Sequence, residues 1–373
     1  MSRDPVSVSA PTPERLLLGV LARERAAVIA ALNLVEDRRP EQRAAAAQLL
    51  AQLPQDTLGQ SGHLVGITGP PGVGKSTLAA ALIRAWRALG RRVAVLAVDP
   101  SSPISGGALL GDRLRMLQPG GASDEGVLIR SLAGRGELGG LSAEVYPMSQ
   151  LLLCAFDVVL VETIGVGQSE IDVVRHTDTT CLVAQPGSGD TIQYLKAGIV
   201  ELPALFAVNK ADIDARDTSR PAARAAAELE SCLPPRTRDA QASAKRWAAR
   251  VALVSARDGD GVDELVEIID AHRAFLERSE KLGTARSEQA AAWAEKRLLV
   301  EFGRYGVERL GGRVALAAQL SHSKRTAFAE LETLRARVLG ALGTSTTTTR
   351  GDPTLDTFSD DSDDHEHEKT REA

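Results

Sequence analysis

Cysteine is scarce. The chain has three in 373 residues (Cys154, Cys181, Cys232), spaced 27 and 51 apart with no Cys-x-x-Cys pair. That odd count excludes a disulfide framework and a four-cysteine zinc site. Aromatic residues make up only 3%, so the core must be aliphatic, and a base-stacking surface for single-stranded nucleic acid is disfavoured. Basic residues are not in excess either, with 44 Lys and Arg against 49 Asp and Glu. Nothing in that balance drives binding to nucleic acid or to an anionic membrane. The last eighteen residues hold eight acids and two bases, so this tail carries −6 and the remainder is near neutral. Long apolar runs are missing: the first, Leu16 to Ala22, ends at Arg23, far short of a membrane span. No apolar segment follows Met-Ser-Arg-Asp-Pro at the start. The expectation is a soluble, cytoplasmic protein with neither nucleic acid nor membrane as partner.

What is present is ordinary globular material, 43% hydrophobic and 25% charged, without an internal repeat. Residues 1–13 are rich in Pro and Ser and read as disordered. Residues 14–61 read as an N-terminal helical extension, with two helices broken around Asp37 to Pro40. Residues 62–275 alternate short aliphatic runs with helical patterns. Seven runs read as strands: Leu64–Thr68, Val93–Val98, Val127–Ile129, Asp157–Val161, Thr180–Ala184, Leu205–Val208 and Val251–Val254. Each is nearly all apolar, as strands buried on both faces of a parallel sheet must be. Residues 276–342 return to helix, and 343–373 form a Thr run and acidic tail that read as disordered. The alternation predicts an α/β, doubly wound, mainly parallel sheet with N- and C-terminal helical extensions, and the G-x-x-x-x-G-K-S run at Gly69–Ser76 makes it the P-loop NTPase kind. Ligands then sit at the carboxyl ends of the strands. The helical flanks are too short to stand alone and should pack on the sheet domain or on a second copy.

Gly69-Pro70-Pro71-Gly72-Val73-Gly74-Lys75-Ser76 matches G-x-x-x-x-G-K-[ST] at every position. It follows the first strand and opens the helical run that starts at Thr77, the context the motif requires. Its glycines let consecutive backbone N–H groups turn inward around phosphate, and the helix N-terminus adds positive potential. Lys75 then serves the β and γ phosphates, and the Ser76 hydroxyl serves Mg²⁺.

Asn209-Lys210-Ala211-Asp212 follows the sixth strand. A carboxylate at Asp212 can accept from N1–H and the exocyclic amine of guanine together. Adenine offers neither donor there, and a buried partner left unpaired gives strong discrimination. Asn209 would brace the loop, the Lys210 stem could cover the base, and Ser255-Ala256 supply a second base-side loop after the seventh strand. GTP and GDP are therefore the expected nucleotides.

The fourth strand runs into Glu162-Thr163-Ile164-Gly165. Most switch GTPases carry Asp at the first of these positions, reaching Mg²⁺ through water, and the longer Glu162 could do the same. The Gly165 N–H can meet the γ-phosphate, so its loop would sense GTP against GDP. Val166 stands where Ras-like enzymes place the glutamine that orients water, and Gln168 comes two residues later. Intrinsic hydrolysis should therefore be slow and helped by a partner. Asp99, ending the second strand, and Asp112, in Gly106-Gly107-Ala108-Leu109-Leu110-Gly111-Asp112, are further candidate Mg²⁺-site acids.

Together these residues resemble the methylmalonyl-CoA mutase-associated GTPases (MeaB/ArgK type). The similar stretches are Ala97-Val98-Asp99-Pro100-Ser101-Ser102-Pro103, Gly111-Asp112-Arg113, and the most specific one, Val161-Glu162-Thr163-Ile164-Gly165-Val166-Gly167-Gln168-Ser169-Glu170. Pro186-Gly187-Ser188-Gly189-Asp190 and the Asn209–Asp212 motif complete the set. The resemblance implies a Mg²⁺- and GTP-dependent chaperone that gates cofactor loading and guards an adenosylcobalamin-dependent acyl-CoA mutase. It also implies a homodimer joined through C-terminal helices, with Asp99, Asp112 and Glu162 as Mg²⁺ and switch residues. Gly134-Arg135-Gly136-Glu137-Leu138-Gly139-Gly140 departs from the family's usual Ser-Gly-His-Leu-Gly-Gly.

The alternative is a GTPase for nickel-enzyme maturation (hydrogenase or urease accessory type), which shares a glutamate in that motif. Such proteins need imidazole or thiolate ligands, and the nearest cluster, His365-Glu366-His367-Glu368, lies in the acidic tail. A pure interaction switch and a small-molecule kinase are the other classes. Partner-stimulated turnover favours the switch, and a second substrate pocket would favour the kinase.

Overall fold

Seven all-parallel strands form one sheet: β1 (His63–Thr68), β2 (Val93–Asp99), β3 (Val127–Ala133), β4 (Val158–Glu162), β5 (Thr179–Ala184), β6 (Leu205–Val208) and β7 (Arg250–Leu253), in the order β3-β2-β4-β1-β5-β6-β7. The computed structural model describes residues 11–54, 62–99, 124–133, 143–163, 169–187, 203–233, 246–323 and 325–344. Every strand expected from the sequence is found, with ends shifted by a residue or two except at β3. That strand runs on to Ala133, past the expected end at Ile129. Arg130 makes its continuation look unlike a buried strand. As the sheet's edge, β3 can carry this residue, whose guanidinium donates to Asn33 Oδ1 at 2.9 Å and pairs with Glu36.

The chain winds outward from β1 through β2 to β3, returns to insert β4 beside β1, and then continues through β5, β6 and β7 on the other side. That reversal places the exits of β1 and β4 side by side, the crevice where doubly wound sheets bind ligands. The register is explicit. Ile67 of β1 and Ala97 of β2 both pair with Glu162 of β4.

Helices cover both faces. On one lie α4 (Lys75–Ala88) and α8 (Val262–Arg278), packed on Val65, Ile67, Val93, Val95 and Val183. On the other lie three N-terminal helices, α1 (Pro13–Leu21), α2 (Arg25–Glu36) and α3 (Pro40–Ala51), with α5 (Val145–Leu153) and α6 (Ser169–His176). The C-terminal helices α9 (Lys281–Arg309), α10 (Gly312–His322) and α11 (Ala327–Thr344) join that same core. Helix α7 (Pro221–Cys232) covers Leu182, Phe206 and Val208. The helical flanks therefore pack on the sheet domain, one of the two expected outcomes. The N-terminal extension differs from expectation in having three helices. Its first break falls at Arg23, which takes φ 61° without any glycine or proline to announce it.

Cys154 and Cys181 are buried, and burial pushes both thiols up to about 12, consistent with unreactive core positions. Among the described residues no helix is long and apolar enough to cross a membrane.

One polar cluster sits inside this packing, at the amino end of β5. The Asp178 side chain has no exposure. It accepts from Arg286 at 2.6 and 3.0 Å, from Arg273 at 3.2 Å and from the Leu64 backbone at 3.0 Å. Burial alone would raise its pKa, but the hydrogen bonds and charge of Arg286 outweigh burial and hold it below the usual carboxylate value. Beside it, His63 and His272 flank the Thr179 hydroxyl at 2.6 and 2.8 Å. Burial keeps both rings neutral, lowering His63 to about 3 and His272 to about 4 against the opposing pull of Asp178.

The unfolded chain would protonate these rings below about pH 6.5. It therefore binds more protons than the folded state as the pH falls from there toward those lowered values, and stability drops over that window. The Asp178 contribution is present above the usual carboxylate range and is lost only at lower pH. Urea midpoints at about pH 7.5 and about pH 5 should show a loss of roughly 2 kcal/mol per ring. His272→Asn should remove its share of that slope. An identical pH dependence in the variant would contradict the assignment.

Candidate nucleotide site

The loop between β1 and α4 is shaped by two glycines whose conformations leave no room for a side chain. Gly69 has φ 140°, and a Cβ there would lie 2.2 Å from the Val183 carbonyl oxygen of β5. Gly74 has φ 93°, and its Cβ would lie 2.5 Å from Asn209 Nδ2. Directly after Gly74, Lys75 is buried, and its ammonium donates to the Gly69 and Pro70 carbonyls at 2.8 Å each. Pro71 and Thr77 face outward, while Val73 is in the core. Helix α4 begins at Lys75 with no acid of its own in the first turn, and its N-terminus presents positive potential to the loop.

Ser76 Oγ donates to Glu162 Oε1 at 2.6 Å. The two come together because β4 runs parallel beside β1, and Thr163 fastens the strand exits. Its N–H donates to the Ile67 carbonyl at 3.2 Å, and its hydroxyl donates to Thr68 Oγ1 at 3.2 Å. A hydroxyl and a carboxylate in contact are the hard oxygen donors that Mg²⁺ takes, so this pair fits such an ion. Asp99 ends β2 two residues beyond Ala97, the neighbour of Glu162, and thus at the same end of the sheet. Asp112 and Gly165 lie outside the described residues.

A third set of contacts comes from the ends of β6 and β7. Asn209 is buried; its Nδ2 donates to the Val73 carbonyl at 2.8 Å, and its Oδ1 accepts from the Ala256 N–H at 3.0 Å. Lys210 takes φ 64° and donates through Nζ to the Gly72 carbonyl at 2.8 Å and to Gln185 Oε1. Asp212 lies in a short 3₁₀ helix, Ala211–Ala215; its carboxylate accepts from Ser255 Oγ and pairs with Arg257, both at 3.3 Å. The structure thus brings together Gly69 to Ser76, Glu162, Asn209 to Asp212, and Ser255 with Ala256. Three participants escaped the sequence reading: Gln185, Arg257 and Asp258, whose carboxylate Arg257 and Ser255 hold below its usual pKa. Their positions just past β5 and β7 were the available signal.

A glycine-shaped loop before a helix, a hydroxyl–carboxylate pair and the Asp212 carboxylate, all at the carboxyl ends of the strands, fit a nucleoside triphosphate. Residues 28–302 match the family described as methylmalonyl Co-A mutase-associated GTPase MeaB. The chain belongs to the MeaB family. It is 45% identical over 225 residues to a protein of Pyrococcus horikoshii named a GTPase, spanning 60% of this chain and 68% of that one. With the GTPase ArgK of Escherichia coli it shares 38% over 276 residues, 73% of this chain and 80% of that one. With the mouse mitochondrial methylmalonic aciduria type A homolog it shares 35% over 291 residues, 75% and 68% of the two chains. The crystal structure of a LAO/AO transport system kinase superposes with a TM-score of 0.58 at 27% identity, covering 90% of this chain and all of that one. This MeaB-family chain is therefore a P-loop GTPase that uses GTP and GDP.

In the MeaB-family chain, base choice should rest on Asp212. Asp212→Asn presents an amide in place of one acceptor and suits xanthine, which carries a carbonyl where guanine has its amine. We expect GDP affinity to fall by about 100-fold and xanthosine diphosphate affinity to rise, read by calorimetric titration. A variant that keeps the wild-type preference for GDP would place the base pocket elsewhere.

Proposed function

We propose that this chain is a Mg²⁺-dependent GTPase switch that gates cofactor loading into, and protects, an adenosylcobalamin-dependent acyl-CoA mutase of the methylmalonyl-CoA mutase type. The observation that carries the switch is the 2.6 Å contact between Ser76 and Glu162. It joins the phosphate loop to the first residue of Glu162-Thr163-Ile164-Gly165, so one carboxylate answers both to the triphosphate side and to the loop that follows β4. The family match supports a mutase as the client.

In this reading the backbone N–H groups from Gly69 to Ser76 and the start of α4 hold the β and γ phosphates, and Lys75 turns from its two carbonyls to meet their charge. Ser76, Glu162, Asp99 and Asp112 are the proposed holders of Mg²⁺, which supplies charge neutralisation on the phosphates when bound. Asp212 reads guanine, Asn209 keeps its loop in place, and Ser255 and Ala256 line the base side. GTP and water give GDP and phosphate. The Gly165 N–H reports the γ-phosphate, and Val166 in the next position supplies no group to orient water. Turnover without the partner should fall well below the roughly 1–100 s⁻¹ of ordinary phosphoryl-transfer enzymes.

Exposed Val300, Tyr305, Val314 and Leu339 on α9 to α11 support the reading of 276–342 as a dimer-forming segment. The candidate ligands of the nickel-maturation alternative, His365-Glu366-His367-Glu368, lie outside the described residues.

The client is tested by capture from the source lysate with tagged protein carrying Mg²⁺ and either GDP or a non-hydrolysable GTP analogue. A cobalamin-dependent mutase retained in one nucleotide state, and raising GTP turnover when added back purified, is the expected result. Nickel-enzyme precursors in its place, or a mutase retained equally in both states, would overturn the proposal.

A further inference from the structure

A cavity of about 310 Å³ opens between α3, α5, α9 and α11, and no residue of the nucleotide loops lines it. That volume is in the range of small-molecule sites. Its interior wall is apolar and partly aromatic: Leu50, Trp293, Phe328 and Leu331, all buried. The wall is also fixed in place. Trp293 stacks on Tyr146 with ring centres 5.0 Å apart, meets Phe328 edge-on at 4.9 Å, and donates through Nε1 to the Ala143 carbonyl at 3.1 Å. A wall already held by its neighbours loses little freedom when something lies on it.

The mouth is charged, and its charges sort into pairs. Glu144 accepts from Arg38 at 3.0 Å, and Asp37 from Arg39 at 2.5 Å. Glu301 and Glu332 share Arg335 at 2.6 and 2.8 Å. Every acid on the lining thus contacts an arginine, with Glu301 and Glu332 sharing one. Two more arginines line the same cavity, Arg43, exposed, and Arg297, half-buried. Neither has an ion pair or side-chain hydrogen bond among the described residues. With Arg39 counted beside Asp37, five arginines meet four acids, so the mouth carries one net positive charge and its two unpaired groups are both guanidiniums, which meet planar oxyanions through paired N–H donors.

We propose that this cavity binds a small apolar molecule carrying one oxyanion, a carboxylate, sulfonate or phosphate, with its body on Trp293 and Phe328 and its anion on Arg43 and Arg297. The proposal does not depend on which mutase or other client the GTPase serves.

The probe is 8-anilinonaphthalene-1-sulfonate, an aromatic body with one sulfonate, titrated by fluorescence into the full chain with GDP saturating the nucleotide site. N-phenyl-1-naphthylamine, the same body without the sulfonate, is the control. We expect saturable one-to-one binding of the sulfonate probe, weakened about tenfold by Arg297→Gln or Arg43→Gln, as loss of a charge-assisted hydrogen bond implies. Binding of the neutral control should not change in either arginine variant. Ala47→Trp, which fills the cavity, should abolish both. The arginine exchanges lie at the mouth and should leave the melting temperature and basal GTPase rate unchanged, so they test the site even if the filled variant fails to fold. No saturable binding, sulfonate affinity unchanged in both arginine variants, or equal weakening of the two probes would each overturn the proposal.

Discussion

One side-chain amide holds the site together. Through its two polar atoms Asn209 grips the carbonyl of Val73 in the phosphate loop and the N–H of Ala256 after β7, while its own N–H is paired to Ala184 of β5. The amide is buried, so neither bond is exchanged cheaply for water. Gly74 cannot carry a side chain because this amide occupies the space. The loop proposed to grip phosphate and the loop proposed to face the base are thereby fastened to each other through one side chain.

That unit needs a fixed platform, which the sheet supplies. Its strands are apolar on both faces and clamped between helices, so the exits of β1, β4, β5 and β6 keep their relative heights. At the opposite end Asp178 ties β5 and β1 to Arg273 of α8 and Arg286 of α9. Removing one partner from such a buried set costs about 3–5 kcal/mol, because the remaining charge is stranded. The C-terminal helices are thus fastened to the sheet by charge as well as by apolar packing, far from the chemistry.

Much of this was legible in the chain. Strands buried on both faces must be continuous apolar runs, and they stood out as such. The phosphate loop was legible because its function lies in consecutive backbone groups, which fixes a local spacing of Gly, Lys and Ser. Other features were not local. Nothing near Asp178 in sequence points to Arg286, 108 residues away. Arg23 breaks the first helices with a left-handed conformation that its side chain does not advertise. Arg257 reaches Asp212 from another strand's loop. The aromatic cluster was equally hidden: three of only twelve aromatic residues, Tyr146, Trp293 and Phe328, meet from three separate helices.

The Asn209 clamp is the element on which the joined site depends. The direct measurement is calorimetric titration of Asn209→Ala with GDP and, separately, with pyrophosphate, which has no base. Loss of two buried hydrogen bonds corresponds to about 1–3 kcal/mol, so both affinities should fall by about ten- to 100-fold. A variant that binds pyrophosphate as the wild type does, and loses only GDP affinity, would show that the phosphate loop holds its shape without the clamp and would contradict the account.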